Sequence, residues 1–177
     1  MTKEKKEQET LLAGIDVGST TTKVAVIDPE TGGILFSDYR RHHADQVKSI
    51  AFVLNALKEH FPGRKFQTAM TGSGAKPIAE KLKLAFIQEV AANAEALKTL
   101  YPSIGTAIEL GGQDAKMIFF REDASTHTVS VADMRMNGSC AGGTGAFIDE
   151  IASVLKIPVE DFNALAAKGT CVYDISG

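Results

Sequence analysis

An acid, a glycine and a lysine recur in this chain at one fixed spacing. GIDVGSTTTKV at 14–24 aligns without gaps on AIELGGQDAKM at 107–117. Ile15 matches Ile108, Asp16 matches Glu109, Val17 matches Leu110, Gly18 matches Gly111 and Lys23 matches Lys116. Each copy reads as apolar strand, acid, apolar residue, glycine, polar turn, strand. A glycine turn between two strands lets backbone N–H groups approach an anion closely. In the first copy Ser19, Thr20, Thr21 and Thr22 add hydroxyls, one of which strand alternation can turn away, and Lys23 adds positive charge. Asp16, at a strand end, is placed to hold Mg²⁺ through water, because that ion keeps several of its waters. In the second copy Gly111 and Gly112 admit close approach and Glu109 repeats the acid. Gln113 and Asp114 are candidates to orient water or a metal-bound phosphate. Two such loops facing each other would grip a nucleotide's phosphates from both sides. One copy alone would read as a plain hairpin; two in register, each keeping the acid and the lysine, argue for phosphate chemistry. The pattern is not a Walker A loop, and no GxGxxG follows a strand, so a dinucleotide fold is not indicated.

A second constellation is RMNGSCAGGTGAFIDEIA at 135–152. Cys140 sits among glycines before an amphipathic run. A helix N-terminus carries unpaired N–H groups and partial positive charge, which favour a thiolate. Cys140 is therefore a candidate reactive thiol or metal ligand; the alternative is a small buried residue beside a flexible turn. The one other cysteine is Cys171.

The elements that position these residues follow from periodicity. Strands are expected at Leu11–Val17, Lys23–Ile27, Ile34–Arg40, Phe66–Thr71, Ala85–Ile87, Thr106–Leu110, Lys116–Phe120 and Val129–Met136. A helix is expected from Asp45 to His60, its apolar face made by Val47, Ile50, Val53 or Leu54, Leu57 and Phe61, and stopped by Pro62-Gly63. Further helices are expected near Ile78–Leu82 and at Glu89–Leu100, Gly143–Leu155 and Val159–Ala167. The amphipathic face of Gly143–Leu155 runs through Phe147, Ile148, Ile151 and Leu155. Strands alternate with helices, which implies an α/β layered fold.

With 177 residues the chain has enough length for a substantial core, as one domain or two lobes. A net charge of −3 without a basic block argues against nucleic acid as the main partner. The opening MTKEKKEQET lacks the apolar core of a signal peptide and reads as a frayed tail over 1–10. No apolar run is long enough to span a bilayer. The expected location is the cytoplasm, where two cysteines serve as thiols or metal ligands rather than a disulfide. Arg40-Arg41-His42-His43 reads as a solvated strand end, and His60 and His127 as surface residues. Asn93 and Glu95, on the helix before the second loop, have no assigned role.

LAGIDVGSTTTKVAVID resembles the first phosphate motif of the sugar kinase, heat-shock ATPase and actin superfamily, and AIELGGQDAKMI its second. GGQDAK followed by NGSCAGGTGAFIDEIA resembles one branch of it: the activators of 2-hydroxyacyl-CoA dehydratases and the ATPase subunits of benzoyl-CoA reductase. The similarity runs from about Leu12 to Gly177. It implies a ribonuclease H-like, actin-like ATPase fold, with a mixed sheet, flanking helices and a duplicated phosphate-loop unit. It implies a first lobe over 11–103 and the start of a second over 104–177, incomplete at its C-terminal end. It also implies ATP or ADP and Mg²⁺ as ligands, and a homodimer sharing one [4Fe–4S] cluster with Cys140 as a ligand at the two-fold axis. ATP hydrolysis would then drive an electron onto an acyl-CoA dehydratase or reductase component. The branch's second ligand lies in a Ser-x-Cys segment beyond TCVYDISG, so Cys171 reads as a core or loop residue. Two other readings stand beside this one: a small-molecule kinase of the same superfamily with Cys140 incidental, and a non-catalytic nucleotide-binding scaffold.

Overall fold

The computed structural model describes residues 10–123, 125, 129–137 and 143–173. The chain divides into two compact units, Met1–Ala96 and Leu97–Gly177.

The first unit is built on a five-stranded mixed sheet. Its strands are β1 (Leu11–Val17), β2 (Thr21–Ile27), β3 (Ile34–Arg41), β4 (Phe66–Thr71) and β5 (Ala85–Phe86), in the order β3-β2-β1-β4-β5. β1, β2 and β3 form an antiparallel meander, and β4 and β5 continue the sheet in parallel from β1. LLAGIDV alternates as its composition requires: Leu11, Ala13, Ile15 and Val17 are buried, while Leu12, Gly14 and Asp16 face the other way. Val24 and Val26 of β2 and Met70 of β4 complete the buried face. Helix α1 (Gln46–His60) lies over it with Ile50, Val53 and Leu57. Each such apolar side chain contributes about 1.5–3 kcal/mol on full burial. Asp45 caps α1, its carboxylate accepting the Lys48 N–H at 3.0 Å. The Phe61 N–H closes the last turn on the Leu57 carbonyl at 3.0 Å, before Pro62-Gly63.

The buried stripe of α1 is narrower than periodicity suggested. Val47 is 73% exposed and Leu54 is exposed as well, whereas Ser49 is buried. Val47 and Leu54 instead edge an apolar groove of about 390 Å³ against Pro77, Ile78 and Leu82 of helix α2 (Lys76–Leu82). The turn at Asp28–Gly33 is held by the Asp28 carboxylate. It accepts the Glu30 N–H at 2.8 Å, which lowers its pKa from the ordinary value. Helix α3 (Glu89–Leu100) follows β5, and the division between the two compact units falls inside it.

The second unit holds a three-stranded antiparallel sheet of β6 (Thr106–Leu110), β7 (Ala115–Glu122) and β8 (Val129–Met136), with helices α4 (Gly145–Leu155) and α5 (Val159–Ala166). Ile118 of β7 and Ala152 of α4 are buried. The face matching the buried face of β1 is open: Ile108 and Leu110, the counterparts of Ile15 and Val17, are 65% and 69% exposed. On α4, Phe147, Ile148 and Leu155 are likewise exposed, and Ala152 is the buried residue.

Candidate functional site

The internal repeat is structural, residue for residue. In the first hairpin Asp16 pairs with Lys23 across β1 and β2; in the second Glu109 pairs with Lys116 across β6 and β7. Val17 opposes Thr22 as Leu110 opposes Ala115. The Gly18 N–H donates to the Thr21 carbonyl at 2.9 Å, and the Gly111 N–H donates to the Asp114 carbonyl at 2.8 Å. Both turns therefore close with the same hydrogen bond at the same glycine.

In the first loop the Lys23 ammonium lies 2.8 Å from Asp16 Oδ2. Both side chains are part-exposed, so the pair contributes modestly to stability. The other carboxylate oxygen, Asp16 Oδ1, is buried without a protein hydrogen-bond partner. Such a group costs free energy unless a ligand satisfies it. Asp16 and Lys23 line a cavity of about 260 Å³ with Gly14, Thr71, Ile87 and Ala92, all in the first unit. The hydroxyls divide between a partly exposed turn and a buried strand start. Ser19 and Thr20 stay accessible at the turn, whereas Thr21 is buried and Thr22 fully so, opposite Val17. The Thr22 hydroxyl, like Asp16 Oδ1, is buried without a protein hydrogen-bond partner.

Gly72, just after β4, walls this loop. Its φ is +100°, and a Cβ there would overlap Asp16 Oδ1 and the Val17 carbonyl. The Gly74 N–H donates to that same carbonyl at 2.9 Å. The GSG run after a buried strand was the available signal for this wall.

His42 was read as part of a solvated strand end and is instead buried, 5% exposed. Its Nε2 lies 3.1 Å from the Gly18 carbonyl, and its Nδ1 accepts the Ala44 N–H at 3.2 Å. Its own backbone N–H donates to the Thr20 carbonyl at 3.2 Å. Nothing in the RRHH run distinguishes it, because the burial comes from a loop 24 positions earlier. His60 is exposed and stacks on Phe36 at 4.5 Å between ring centroids. His127 lies outside the described residues.

In the second loop Lys116 is 5% exposed, 3.1 Å from Asp114 Oδ2 and 3.7 Å from Glu109 Oε2. The two carboxylates offset the cost of burying its charge. Asp114 folds over the turn, so a Cβ on Gly111 would stand 2.8 Å from its Oδ1. Gln113 is exposed at the tip, beside Gly112. Two further hydrogen bonds fasten the loop to α4: Gly145 N–H to the Gly111 carbonyl at 2.9 Å, and Ala146 N–H to the Gly112 carbonyl at 2.7 Å. The amides of Gly145 and Ala146 at the start of α4 are thus taken up by the loop. Cys140 itself lies outside the described residues. Cys171 is an exposed free thiol after α5.

A mixed sheet with flanking helices, opening on a strand–loop–strand unit that is repeated downstream, is the actin-like ATPase fold. The chain belongs to the BadF/BadG/BcrA/BcrD ATPase family, whose model matches residues 13–176. It is 30% identical over 161 residues to the (R)-2-hydroxyglutaryl-CoA dehydratase activating ATPase of Acidaminococcus fermentans, covering 89% of this chain and 58% of that protein. It is 28% identical to the activator of lactoyl-CoA dehydratase of Anaerotignum propionicum, covering 92% and 61%. The crystal structure of the Acidaminococcus fermentans dehydratase component A superposes with a TM-score of 0.77 at 29% identity, over 96% of this chain and 63% of that one. The 2-hydroxyisocaproyl-CoA dehydratase activator from Clostridium difficile with bound ADPNP shares the fold, with a TM-score of 0.76 at 23% identity, over 95% and 60%. The chain thus spans about three fifths of the length of these relatives. No helix among the described residues is long and apolar enough to cross a membrane.

Proposed function

We propose that this chain binds and hydrolyses ATP through its two glycine loops and, as a homodimer holding an iron–sulfur cluster, activates an acyl-CoA dehydratase- or reductase-type partner in the cytoplasm. The observation that carries the reading is the matched pair of hairpins. Asp16–Lys23 and Glu109–Lys116 occupy one register position, each beside a glycine whose turn closes in the same way. Related ATPases named as dehydratase activators support the activity and the partner class.

Each residue has a definite task in this reading. Glycine amides at 18–19 and 111–112 receive phosphate oxygens, Ser19 and Thr20 add hydroxyl donors, and Lys23 adds charge. The orphaned Asp16 Oδ1 fits a hydrated Mg²⁺, which when bound neutralises phosphate charge. Gln113 and Asp114 orient water. In this reading, as the family resemblance implies, two chains share one [4Fe–4S] cluster with Cys140 as a ligand; when bound, it would supply one-electron chemistry.

The deciding experiment is an anaerobic preparation assayed for ATP affinity, phosphate release without an acceptor, and iron and sulfide. Phosphate release with iron present supports the activator. Transfer to an acceptor without iron replaces it with a kinase, and nucleotide binding without turnover replaces it with a scaffold.

A further inference from the structure

Each glycine loop is fastened from outside its own hairpin at the same carbonyl. In the second loop the fastener is the Gly145 N–H on the Gly111 carbonyl, at 2.9 Å. In the first, no helix start among the described residues performs this role. The Gly18 carbonyl, which corresponds to that of Gly111, meets the imidazole of His42 at 3.1 Å. We propose that His42 is a positioning residue for phosphate binding, fixing the peptide between Gly18 and Ser19 so that the Ser19 amide is presented to the ligand. The proposal rests on the reading of 18–22 as a phosphate loop.

The argument is geometric. A trans peptide is planar, so its carbonyl and the following N–H point in opposite directions. Holding the Gly18 carbonyl toward His42 turns the Ser19 N–H away from it. Gly18 needs such a hold, because a glycine on its N-terminal side leaves that peptide free to rotate. The tautomer is also fixed. Nδ1 accepts the Ala44 N–H at 3.2 Å, so the ring proton sits on Nε2, where it donates to Gly18. The His42 backbone N–H holds the Thr20 carbonyl at 3.2 Å, so one residue grips the loop at two points.

The turn that delivers the ring is itself unusual. His43 and Ala44 both adopt left-handed backbone, with φ of 47° and 64°. Residues carrying a Cβ adopt that region at an energetic cost and persist there when their surroundings fix them. Here the Asp45 N–H returns to the His42 carbonyl at 2.7 Å and Asp45 then caps α1. Ser19, Thr20, Arg41 and His43 border a shared concavity of about 190 Å³, so this turn and the loop form one wall.

Two substitutions separate the ring's two contacts. The Gln amide nitrogen stands as many bonds from the backbone as Nε2, so His42→Gln keeps a donor for Gly18. Asn is one bond shorter, so His42→Asn retains a group at the Nδ1 position for Ala44 but loses Gly18. Both are compared with the unsubstituted chain by amide hydrogen exchange over 18–20 without nucleotide, by MgATP affinity and by circular dichroism. His42→Asn should quicken exchange in the loop and weaken MgATP about tenfold, the size of one hydrogen bond, while His42→Gln stays within about threefold. Equal behaviour of His42→Asn and the unsubstituted chain overturns the proposal. So does an equal loss in His42→Gln, or unfolding of both variants. If the unsubstituted chain binds no MgATP, the phosphate-site reading fails, and loop exchange alone still decides the role of His42.

Discussion

The backbone N–H of Gly145 donates to the carbonyl of Gly111 at 2.9 Å, joining the first residue of α4 to the glycine of the second loop. The next amide repeats the contact, Ala146 to Gly112 at 2.7 Å. A helix leaves its first N–H groups without intrahelical partners, and a tight glycine turn leaves carbonyls pointing outward. Each satisfies the other here. The helix that follows the Cys-x-Gly-Gly-Thr-Gly segment is therefore seated on the loop proposed to hold phosphate.

Replacing Gly145 by proline tests this seat. Proline is tolerated at the first helical position, and the extended conformation of Thr144 suits the residue before it. The substitution removes the donor and sets the proline Cδ against the Gly111 carbonyl oxygen, which lies 2.9 Å from the Gly145 nitrogen, so the loop must part from the helix start. The expected cost in denaturant unfolding exceeds the roughly 1 kcal/mol of one hydrogen bond, with weakened MgATP binding. Unaltered stability and affinity would show the contact to be idle.

Asp16→Asn is nearly isosteric and should spare the fold. It removes the anionic partner of Lys23 and the carboxylate charge available to Mg²⁺. Phosphate release should fall about a hundredfold, which corresponds to roughly 2.7 kcal/mol of transition-state stabilisation. Turnover equal to that of the unsubstituted protein would remove Asp16 from the metal site.

Gly72→Ala should be among the most damaging small substitutions in the first unit. Its methyl would meet the Asp16 carboxylate and the Val17 carbonyl, and its φ of +100° disfavours any side chain. Strain and displacement together should cost about 3 kcal/mol, read as a lowered denaturation midpoint. Gly63→Ala offers a control, since its φ is +75° but nothing lies within 4 Å of the added carbon. A Gly72→Ala cost no larger than that of Gly63→Ala would mean Gly72 matters only for its backbone angle.

In a full-length dimer Cys140→Ser should abolish iron and sulfide in an anaerobic preparation, because a serine hydroxyl does not replace a thiolate on iron. MgATP affinity should be kept, because the glycine loops come from other segments. Iron retained at the unsubstituted level would exclude Cys140 as a ligand, and iron lost on changing Cys171 would bring that exposed thiol into the set.

Strand and helix positions were legible because alternation in LLAGIDV and the stop at Pro62-Gly63 act over a few residues. The repeat was legible for the same reason: Asp16, Gly18 and Lys23 occupy one hairpin, and a hairpin's register follows from its turn. The face of α1 was read less well. Val47 was placed on the covered face by hydrophobicity, yet which flank of a helix is covered depends on its neighbours, here the sheet and α2.

What the sequence by itself determined was local chemistry: two acid–glycine–lysine turns on paired strands, and a cysteine beside a glycine cluster before a helix. What only the tertiary structure decided was which distant residues serve those turns. His42 looked like one member of a charged run and became the buried hold on Gly18, 24 positions away. Gly72 became the wall behind Asp16, and the start of α4 became the seat of Gly111. The physical reason is common to all three. A hydrogen bond or close contact between remote segments depends on where the sheet and its connections bring them. Neither residue type nor spacing along the chain encodes that meeting.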